Sequence, residues 1–493
     1  MSRLRKTAVA ALVVLPFVAA CAVTENPATG QRQATFITPE EEIEIGRENH
    51  PQILRQFGGA YQNEEVTAYV DRVGERLKAN SELPDLDFTF TVLNSEVVNA
   101  FALPGGYIYI SRGLLALAEN EAEMAGVLAH EIGHVTARHS ALRDRSAKVG
   151  GIFANAAAIG SAILFGGEAG QVVGQLAGVG AQATVQGFSR SQELEADQLG
   201  VRYLSRTGYD PNAMSSFLEK LQENDRLTKL RAGRDPNEDN FSFLASHPRT
   251  AERVEAAAEA AADKTPSPTR NREPFLEKID GIVYGTDPSQ GVVRETAFIH
   301  PDLRFSFDFP EGMVINNTPN AVIGQFNNTY LMQFDLDTVP TSTDLADYVA
   351  NDFREGLRVG AVDRRTINGM PAATGSAAVR FQGKDAEIVA AAIRYEGERV
   401  YRFLFLRPGS WTSAEGRDVY GTIESFRKIS ASEAAELKPL RLRLVTVQRG
   451  DTVDSLAARM EVEAFKKETF LTLNALDEGD SLAAGETVKL VTY

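Results

Sequence analysis

The chain has 493 residues, of which 43% are hydrophobic and 24% charged, and its formal net charge is −16. This composition is that of a globular protein of roughly two to four domains, and it excludes a disordered chain. Because the acidic excess would repel a phosphate backbone, nucleic acid is not expected among the partners.

The first twenty residues, 1–20, predict a signal peptide of the lipoprotein type. Basic residues within 3–6 precede an apolar run at 7–18, the pattern of a secretory signal. The segment VAAC ends at Cys21 and resembles the lipobox of bacterial lipoproteins, in which the cysteine is lipidated and anchors the protein to a membrane. By the same resemblance, Ala22 favours the outer membrane. The alternative is a plain signal peptide with a chance cysteine.

The next segments predict a tether, a helix-rich domain and a linker. Residues 21–38, which include NPATGQRQ, have the composition of an extended tether. Residues 39–262 are rich in helical patterns and form the first predicted domain. Residues 263–289 begin with a cluster of Pro, Ser and Thr in KTPSPTRNREP, which predicts a linker.

The segment AHEIGHVTARH predicts a metal site on a helix. His130 and His134 are four residues apart, so on a helix they stand one turn apart on one face and can bind one ion. Glu131 lies beside the ion without coordinating it, where it can polarise a water molecule. This His-Glu-x-x-His pattern favours one Zn²⁺, since zinc accepts imidazole ligands in a tetrahedral site with one open position. His139 lies on the opposite side of the same helix and is predicted to be at the surface.

A second helical segment, SRSQELEADQLG, offers the third ligand. Glu193 would complete a two-histidine, one-glutamate site, and Asp197 could accept a hydrogen bond from a ligating imidazole. Glu195 is expected to point elsewhere. His247, in ASHPRTAERV, is a candidate either for a transition-state donor or for a reversible fourth zinc ligand, with Arg253 as its support. The alternative for His247 is an ordinary capped loop residue.

Two other segments of this domain bear on how a substrate would reach the metal. The segment GGYIYIS, residues 105–111, predicts an edge strand to which an extended substrate could add by β-pairing. Residues 149–167 are apolar enough to suggest a membrane span. They lie between His134 and Glu193, which must meet at one ion, so we predict Gly- and Ala-rich helices that cover the active site instead.

Residues 290–432 predict an α+β domain with an antiparallel sheet. Phe305, Phe307 and Phe309 alternate along one face of a strand, and Asp344 is a plausible N-cap for a helix. The segment contains no chemical motif, so its role is not predicted.

The last segment, residues 443–493, resembles the LysM module, with a strand, two helices and a closing strand. In that family the module binds N-acetylglucosamine chains such as peptidoglycan. Peptidoglycan is therefore a candidate partner through this LysM-like module. A purely structural role is the alternative.

Four segments together carry a family resemblance over about residues 38–262. They are NAFALPGGYIYISRGLL, HEIGHVTARH, SRSQELEAD and SHPRTAERV, and they resemble the gluzincin peptidases of the group that includes HtpX, the CAAX prenyl proteases and periplasmic BepA. The resemblance implies that His130, His134 and Glu193 bind zinc and that Glu131 is the general base.

The sequence therefore predicts a multidomain α+β protein. It combines a mainly helical zincin peptidase domain with a small edge-strand sheet, an antiparallel α+β middle domain and a small βααβ module. The predicted function is a zinc-dependent endopeptidase, lipid-anchored in the periplasm, that cleaves misfolded or misassembled proteins of the bacterial cell envelope. Two alternatives remain open: a chaperone-like assembly factor whose zinc site is mostly closed by His247, and a peptidoglycan-binding lipoprotein that uses the peptidase fold as a scaffold.

Overall fold

The structure is a computed structural model that describes most of the chain. The described residues are 22–35, 37–142, 188–231, 247, 251–262, 264, 269–318, 321–326, 329–381 and 383–493. The predicted signal peptide, Cys21 and the segment 149–167 lie outside the described residues. Among the residues described, no helix is long and apolar enough to cross a membrane.

The described part of the chain begins with a short β-hairpin, continues with helices and a small sheet, and is then mainly strands up to the C-terminal module. Its helices α1 to α13 are, in order, Pro39–Gln56, Glu64–Lys78, Arg112–Leu117, Glu121–Thr136, Arg190–Thr207, Ala213–Arg231, Ala251–Ala262, Arg272–Ile279, Leu345–Asp347, Ser413–Ser425, Ala431–Ala435, Val453–Ala458 and Lys466–Asn474. Its strands β1 to β18 are Ala22–Glu25, Arg32–Thr35, Thr89–Leu93, Ala100–Leu103, Tyr107–Ser111, Val292–Arg294, Ala297–His300, Phe305–Asp308, Met313–Asn317, Val322–Phe326, Tyr330–Thr338, Gly360–Ile367, Met370–Phe381, Lys384–Glu396, Arg399–Pro408, Arg427–Lys428, Arg441–Thr446 and Thr487–Thr492.

The first unit corresponds to the first predicted domain, residues 39–262. In it, a three-stranded sheet with the strand order β3-β5-β4 packs beside the helices. Strand β5 pairs in parallel with β3 and antiparallel with β4. The prediction that residues 105–111 form an edge strand is therefore wrong, because β5 is the central strand. The edge strand that lies against helix α4 is β4, which returns to β5 through the tight turn at Gly105 and Gly106, both with positive φ.

The predicted tether and the predicted linker both contain regular structure. In the predicted tether, β1 and β2 pair as an antiparallel hairpin. In the predicted linker, α8 contributes Phe275, Leu276 and Ile279 to the main hydrophobic core. The chain differs from the prediction there because three apolar residues on one helix face outweigh the polar composition around them.

The middle unit corresponds to the predicted domain at residues 290–432, and its strands pair antiparallel, as predicted. A seven-stranded sheet has the order β12-β13-β14-β15-β11-β10-β9, and a four-stranded sheet has the order β16-β8-β7-β6. Phe305, Phe307 and Phe309 are buried in one apolar cluster between these layers. Asp344 caps the predicted helix through bonds from the Ala346 and Asp347 N–H groups, but only α9 and a short π-helical turn follow.

The C-terminal module has the order strand, helix, helix, strand, and β17 pairs antiparallel with β18. This agrees with the predicted βααβ topology, whereas the LysM assignment itself is not confirmed. The module belongs to the main core, because Leu442, Phe470 and Leu490 share one apolar cluster with the residues of the first unit.

The middle unit is inserted between two parts of this main core. The chain that enters it pairs with the chain that leaves it, since the Gly281 N–H donates to the Leu442 carbonyl and the Tyr284 N–H to the Leu440 carbonyl, each at 2.8 Å. The apolar clusters of the middle unit are separate from the main core. The C-terminal module is thus packed with the first unit although a whole sheet domain separates them in sequence.

Candidate metal centre

Helix α4 carries the His-Glu-x-x-His segment through the centre of the first unit. The Asn120 side chain begins the helix by accepting a hydrogen bond from the Glu123 N–H at 3.0 Å. All residues of the helix except Val135 are buried, as expected for a helix that is apolar on most of its faces. The predicted helix is present, and its packing on all sides fixes the position of its side chains.

Helix α5 brings the second set of polar residues against α4. It begins with a capping box formed by Ser189 and Gln192. The two helices approach closely where each has a glycine: a Cβ at Gly133 would lie 3.1 Å from the Ala196 carbonyl oxygen, and one at Gly200 would lie 3.3 Å from the His130 nitrogen. Larger side chains at these positions would push the two sets of polar groups apart.

Three side chains from these helices and His247 converge on one point. The Nε2 atoms of His130 and His134 are 3.0 Å apart, and His247 Nδ1 lies 3.3 Å from His130 Nε2 and 3.0 Å from Glu193 Oε1. Glu193 Oε2 lies 3.6 Å from His130 Nε2, and Glu193 Oε1 lies 3.6 Å from His134 Nε2. All four residues are buried, and one ligand atom from each lies within 4.8 Å of the others, so the group could hold one metal ion.

This donor set fits zinc. Tetrahedral Zn²⁺ with bonds of about 2.0 to 2.1 Å has neighbouring ligand atoms about 3.3 Å apart, which matches the spacings between these atoms. Burial lowers the pKa of His134 well below its ordinary value, with the other imidazoles adding to the effect, so its ring is neutral and a lone pair is free for a cation. Without a cation, the Nε2 atoms of His130 and His134 would face each other in a buried site.

Glu131 lies beside this group without joining it. Its Oε1 is 3.5 Å from His247 Nε2, whereas its Oε2 is buried without a hydrogen-bond partner among the described residues. Burial raises the pKa of Glu131, although the imidazoles of His247 and His130 oppose that shift. A carboxylate whose pKa is moved toward neutrality is suited to accept and return a proton.

Two further charged residues hold the ligands in place. Asp197 Oδ1 lies 2.9 Å from His130 Nδ1, the contact expected of a carboxylate that orients a ligating imidazole. Arg253 donates to both Asp197 oxygens at 2.7 Å and lies 2.8 Å from Glu193 Oε2. Although burial raises the pKa of Asp197, the hydrogen bonds from Arg253 and His130 lower it overall, so this carboxylate stays charged.

The prediction that His139 lies at the surface is wrong. Its ring is 1% exposed, and its Nδ1 lies 2.8 Å from His134 Nδ1. Helix α4 ends at Thr136, and Arg138 has a left-handed φ of 56°, so the helical geometry that placed His139 on the far side no longer applies. Glu195 is not among the four convergent residues, and its Oε2 lies 3.2 Å from His139 Nε2.

Phe188 is a residue of the site that sequence reasoning missed. Its ring stacks on His134 with centroids 3.9 Å apart and lies 5.4 Å from the His247 ring. A single aromatic residue before a helix carries no signal for a metal site, so only the folded chain identifies it. Phe188 is an apolar cover over one side of the imidazole group.

A buried two-histidine helix, a glutamate from the next helix and an adjacent free carboxylate define a gluzincin zinc metallopeptidase site. Comparison with known proteins agrees, because residues 64–261 match Peptidase family M48. The chain carries a peptidase domain of that family, and the domain is a zinc metallopeptidase domain.

Curated relatives give the same assignment. The chain is 33% identical over 246 residues to a "Beta-barrel assembly-enhancing protease" of Yersinia pestis, covering 47% of this chain and 49% of the relative. It is 31% identical to the protein of that name from Escherichia coli K12, and the match covers 50% of this chain and 50% of that protein. It is 26% identical to "Mitochondrial metalloendopeptidase OMA1" of Schizosaccharomyces pombe, over 46% of this chain and 63% of that protein. The chain thus spans about half the length of the bacterial relatives.

Proposed function

We propose that this protein is a zinc-dependent endopeptidase of the bacterial cell envelope that cleaves misfolded or misassembled envelope proteins. The observation that carries the proposal is the convergence of His130, His134 and Glu193 beside the free carboxylate of Glu131. The name of the bacterial relatives, "Beta-barrel assembly-enhancing protease", supports β-barrel proteins as the substrate class. The signal-like sequence before Cys21 supports the envelope location and a lipid anchor in the outer membrane.

The residues of the site have distinct roles in the proposed reaction. His130, His134 and Glu193 hold the ion, which when bound supplies a Lewis acid for the peptide carbonyl and lowers the pKa of water. Glu131 accepts the proton of the attacking water and delivers it to the leaving amine. Asp197 and Arg253 keep the His130 ring and the Glu193 carboxylate in position.

Strand β4 is the proposed binding surface for the substrate backbone. It pairs with β5 on one side, and its other edge has no strand partner among the described residues. Because β4 packs on α4, a peptide added to this edge would pass the metal ligands in an extended conformation. The position proposed for the substrate therefore moves from residues 105–111 to Ala100–Leu103.

A small apolar cavity adjoins Ala100 of β4 and Glu131 of α4. Its volume is about 40 Å³. Glu131, His247 and Arg253 line it together with apolar side chains of α4, α6 and neighbouring elements, namely Ala100, Leu114, Val127, Met214, Phe217, Leu218 and Leu221. We propose that it receives a small apolar side chain next to the scissile bond, since a cavity of this size has room for only a few water molecules.

Enlarging the cavity should change the side chain that is preferred next to the cleaved bond. We expect Leu218→Ala to shift cleavage toward larger apolar residues by about tenfold, because a methylene in an apolar pocket discriminates on that scale. Mass spectrometry of products from a peptide mixture measures the preference. Leu204→Ala is the matched control, since Leu204 is buried in the same core but does not line the cavity. An unchanged preference in Leu218→Ala would remove the cavity from the proposal.

Cleavage of casein by the full chain, compared with cleavage by its Glu131→Gln variant, tests the endopeptidase proposal. Zinc content is measured on both proteins, so that loss of chemistry is separated from loss of the ion. Equal cleavage by the two proteins would refute the proposed role of Glu131.

A second candidate function is a chaperone-like assembly factor whose zinc site is mostly closed. The observation that favours it is the position of His247 Nδ1, which lies at hydrogen-bond distance from Glu193 and close to His130, where a fourth ligand would lie. In that position His247 would exclude the substrate.

Replacing His247 by Ala should distinguish these roles. We expect His247→Ala to increase the rate of casein cleavage, by up to about tenfold if roughly nine molecules in ten have His247 in the fourth position. Steady-state rates at equal zinc content measure the effect, and His50→Ala serves as a control because His50 contacts Tyr109 away from the metal residues. A lower rate in His247→Ala would instead assign His247 as a transition-state donor.

A further inference from the structure

We infer that Lys489, in the last strand of the C-terminal module, is a positioning residue for the metal helix α4. The side chain of Lys489 is fully buried, and its Nζ lies 2.6 Å from Glu119 Oε1. It also donates to the carbonyls of Ala116, Leu117 and Ala118 at 3.1, 3.3 and 2.9 Å. Those residues form the end of α3 and the short connection to α4.

Lys489 donates to backbone carbonyls at the buried end of α3 and supplies part of the positive charge that balances Glu119. The last carbonyls of a helix lack intrahelical donors, and a buried helix end requires donors from elsewhere. Here the donor comes from a strand about 370 residues later in the chain. A buried Glu119 without a cation would also be unfavourable, and Lys489, Lys220 and Arg272 supply that charge.

The same residues determine where α4 begins. The Glu119 N–H donates to Glu123 Oε2 at 2.9 Å, and Asn120 caps the first turn. His130 follows Asn120 by ten residues, about 15 Å along a rigid helix, so a displaced first turn moves the metal ligands. Lys489 therefore fixes the start of the helix that carries His130, Glu131 and His134.

The backbone of Lys489 is itself held by the module. Asn474 on α13 accepts the Lys489 N–H at 2.7 Å and donates to the Lys489 carbonyl at 2.9 Å. Arg272 of α8 bridges Glu119 and the Thr487 carbonyl. The C-terminal module is accordingly a structural part of the catalytic unit, whether or not it also binds a ligand.

Three variants of the full chain test this inference. Lys489→Met removes the ammonium but keeps the length of the side chain, and Glu119→Gln combined with Lys489→Met removes both charges. Lys467→Met is the control, because Lys467 makes exposed ion pairs on the same module. Zinc retention against a chelator and the kcat and KM for casein are measured at a temperature where each variant is folded by circular dichroism.

We expect Lys489→Met to have a lower melting temperature, and the double variant to regain part of it, since replacing both members of a buried pair is tolerated better than replacing one. Both variants should still lose zinc about tenfold faster than the parent and have a lower kcat at similar KM, whereas Lys467→Met should match the parent. Displacements of this kind far from the chemistry can lower rates by up to about a hundredfold.

Parental zinc retention and kcat in either folded variant would overturn the inference and leave Lys489 with a role in stability alone. The kcat part rests on the proposed endopeptidase function, but zinc retention does not. If the parent protein fails to cleave casein, the proposed function fails while the zinc measurements still decide the role of Lys489.

Discussion

Replacing Glu131 by Gln should leave zinc bound and lower the rate of casein cleavage by about 10² to 10⁴, the usual contribution of a general base. Glu131 lies beside the four convergent side chains but is not one of them, so the ion should be retained. Gln has nearly the same size as Glu and cannot accept a proton in this way. Initial cleavage rates, together with metal analysis after dialysis, measure the two effects separately.

Glu195→Gln is a suitable control for this experiment. Glu195 is also a carboxylate close to the metal residues, but it contacts His139 and not the point where the four ligands converge. We expect its cleavage rate to stay within severalfold of the parent. A Glu131→Gln protein that binds zinc and cleaves casein at the parental rate would contradict the assignment of Glu131 as the base.

The parts of the site that follow from helical spacing could be predicted from the sequence. Residues four apart share one face of a helix, so the pairs His130 with His134 and Glu193 with Asp197 are defined locally. The structure brings these pairs together because α4 and α5 pack through Gly133 and Gly200. No knowledge of distant contacts was needed for either pair.

The order of the strands could also have been predicted more closely. The segment from residue 100 to residue 111 has two apolar runs separated by Pro104, Gly105 and Gly106, which is the signal of a β-hairpin. A hairpin gives β5 a partner on one side, and the parallel pairing with β3 then makes it central. The parallel pairing has no comparable local signal.

Contacts between distant parts of the chain could not be predicted. His139 is buried because the chain leaves the helix at Arg138, and single-residue departures of this kind depend on the surroundings. From the sequence, Lys489 is predicted to be an ordinary polar residue of a short strand. Nothing near it in sequence indicates that Glu119 is its partner. The packing of the C-terminal module on the peptidase domain exists only in three dimensions.

Replacing three acidic residues of α5 by Ala should lower the zinc affinity by different amounts, most for Glu193, less for Asp197 and least for Glu195. We expect Glu193→Ala to lower it by more than a hundredfold, because the ion loses a carboxylate ligand. Asp197→Ala should lower it by about tenfold to a hundredfold, the usual loss when a residue that orients a ligand is removed. Here that loss includes the contact with His130 Nδ1 and the partner of Arg253.

Glu195→Ala should have the smallest effect of the three, although the structure gives it a greater one than helical spacing alone would suggest. Glu195 acts only through His139, which contacts the Nδ1 side of the His134 ring. Competition with a chelator of known affinity ranks the variants, and circular dichroism verifies that each is folded. If Glu195→Ala lost zinc most readily, Glu193 could not be the third ligand, since both lie on α5 and only Glu193 faces the histidine pair.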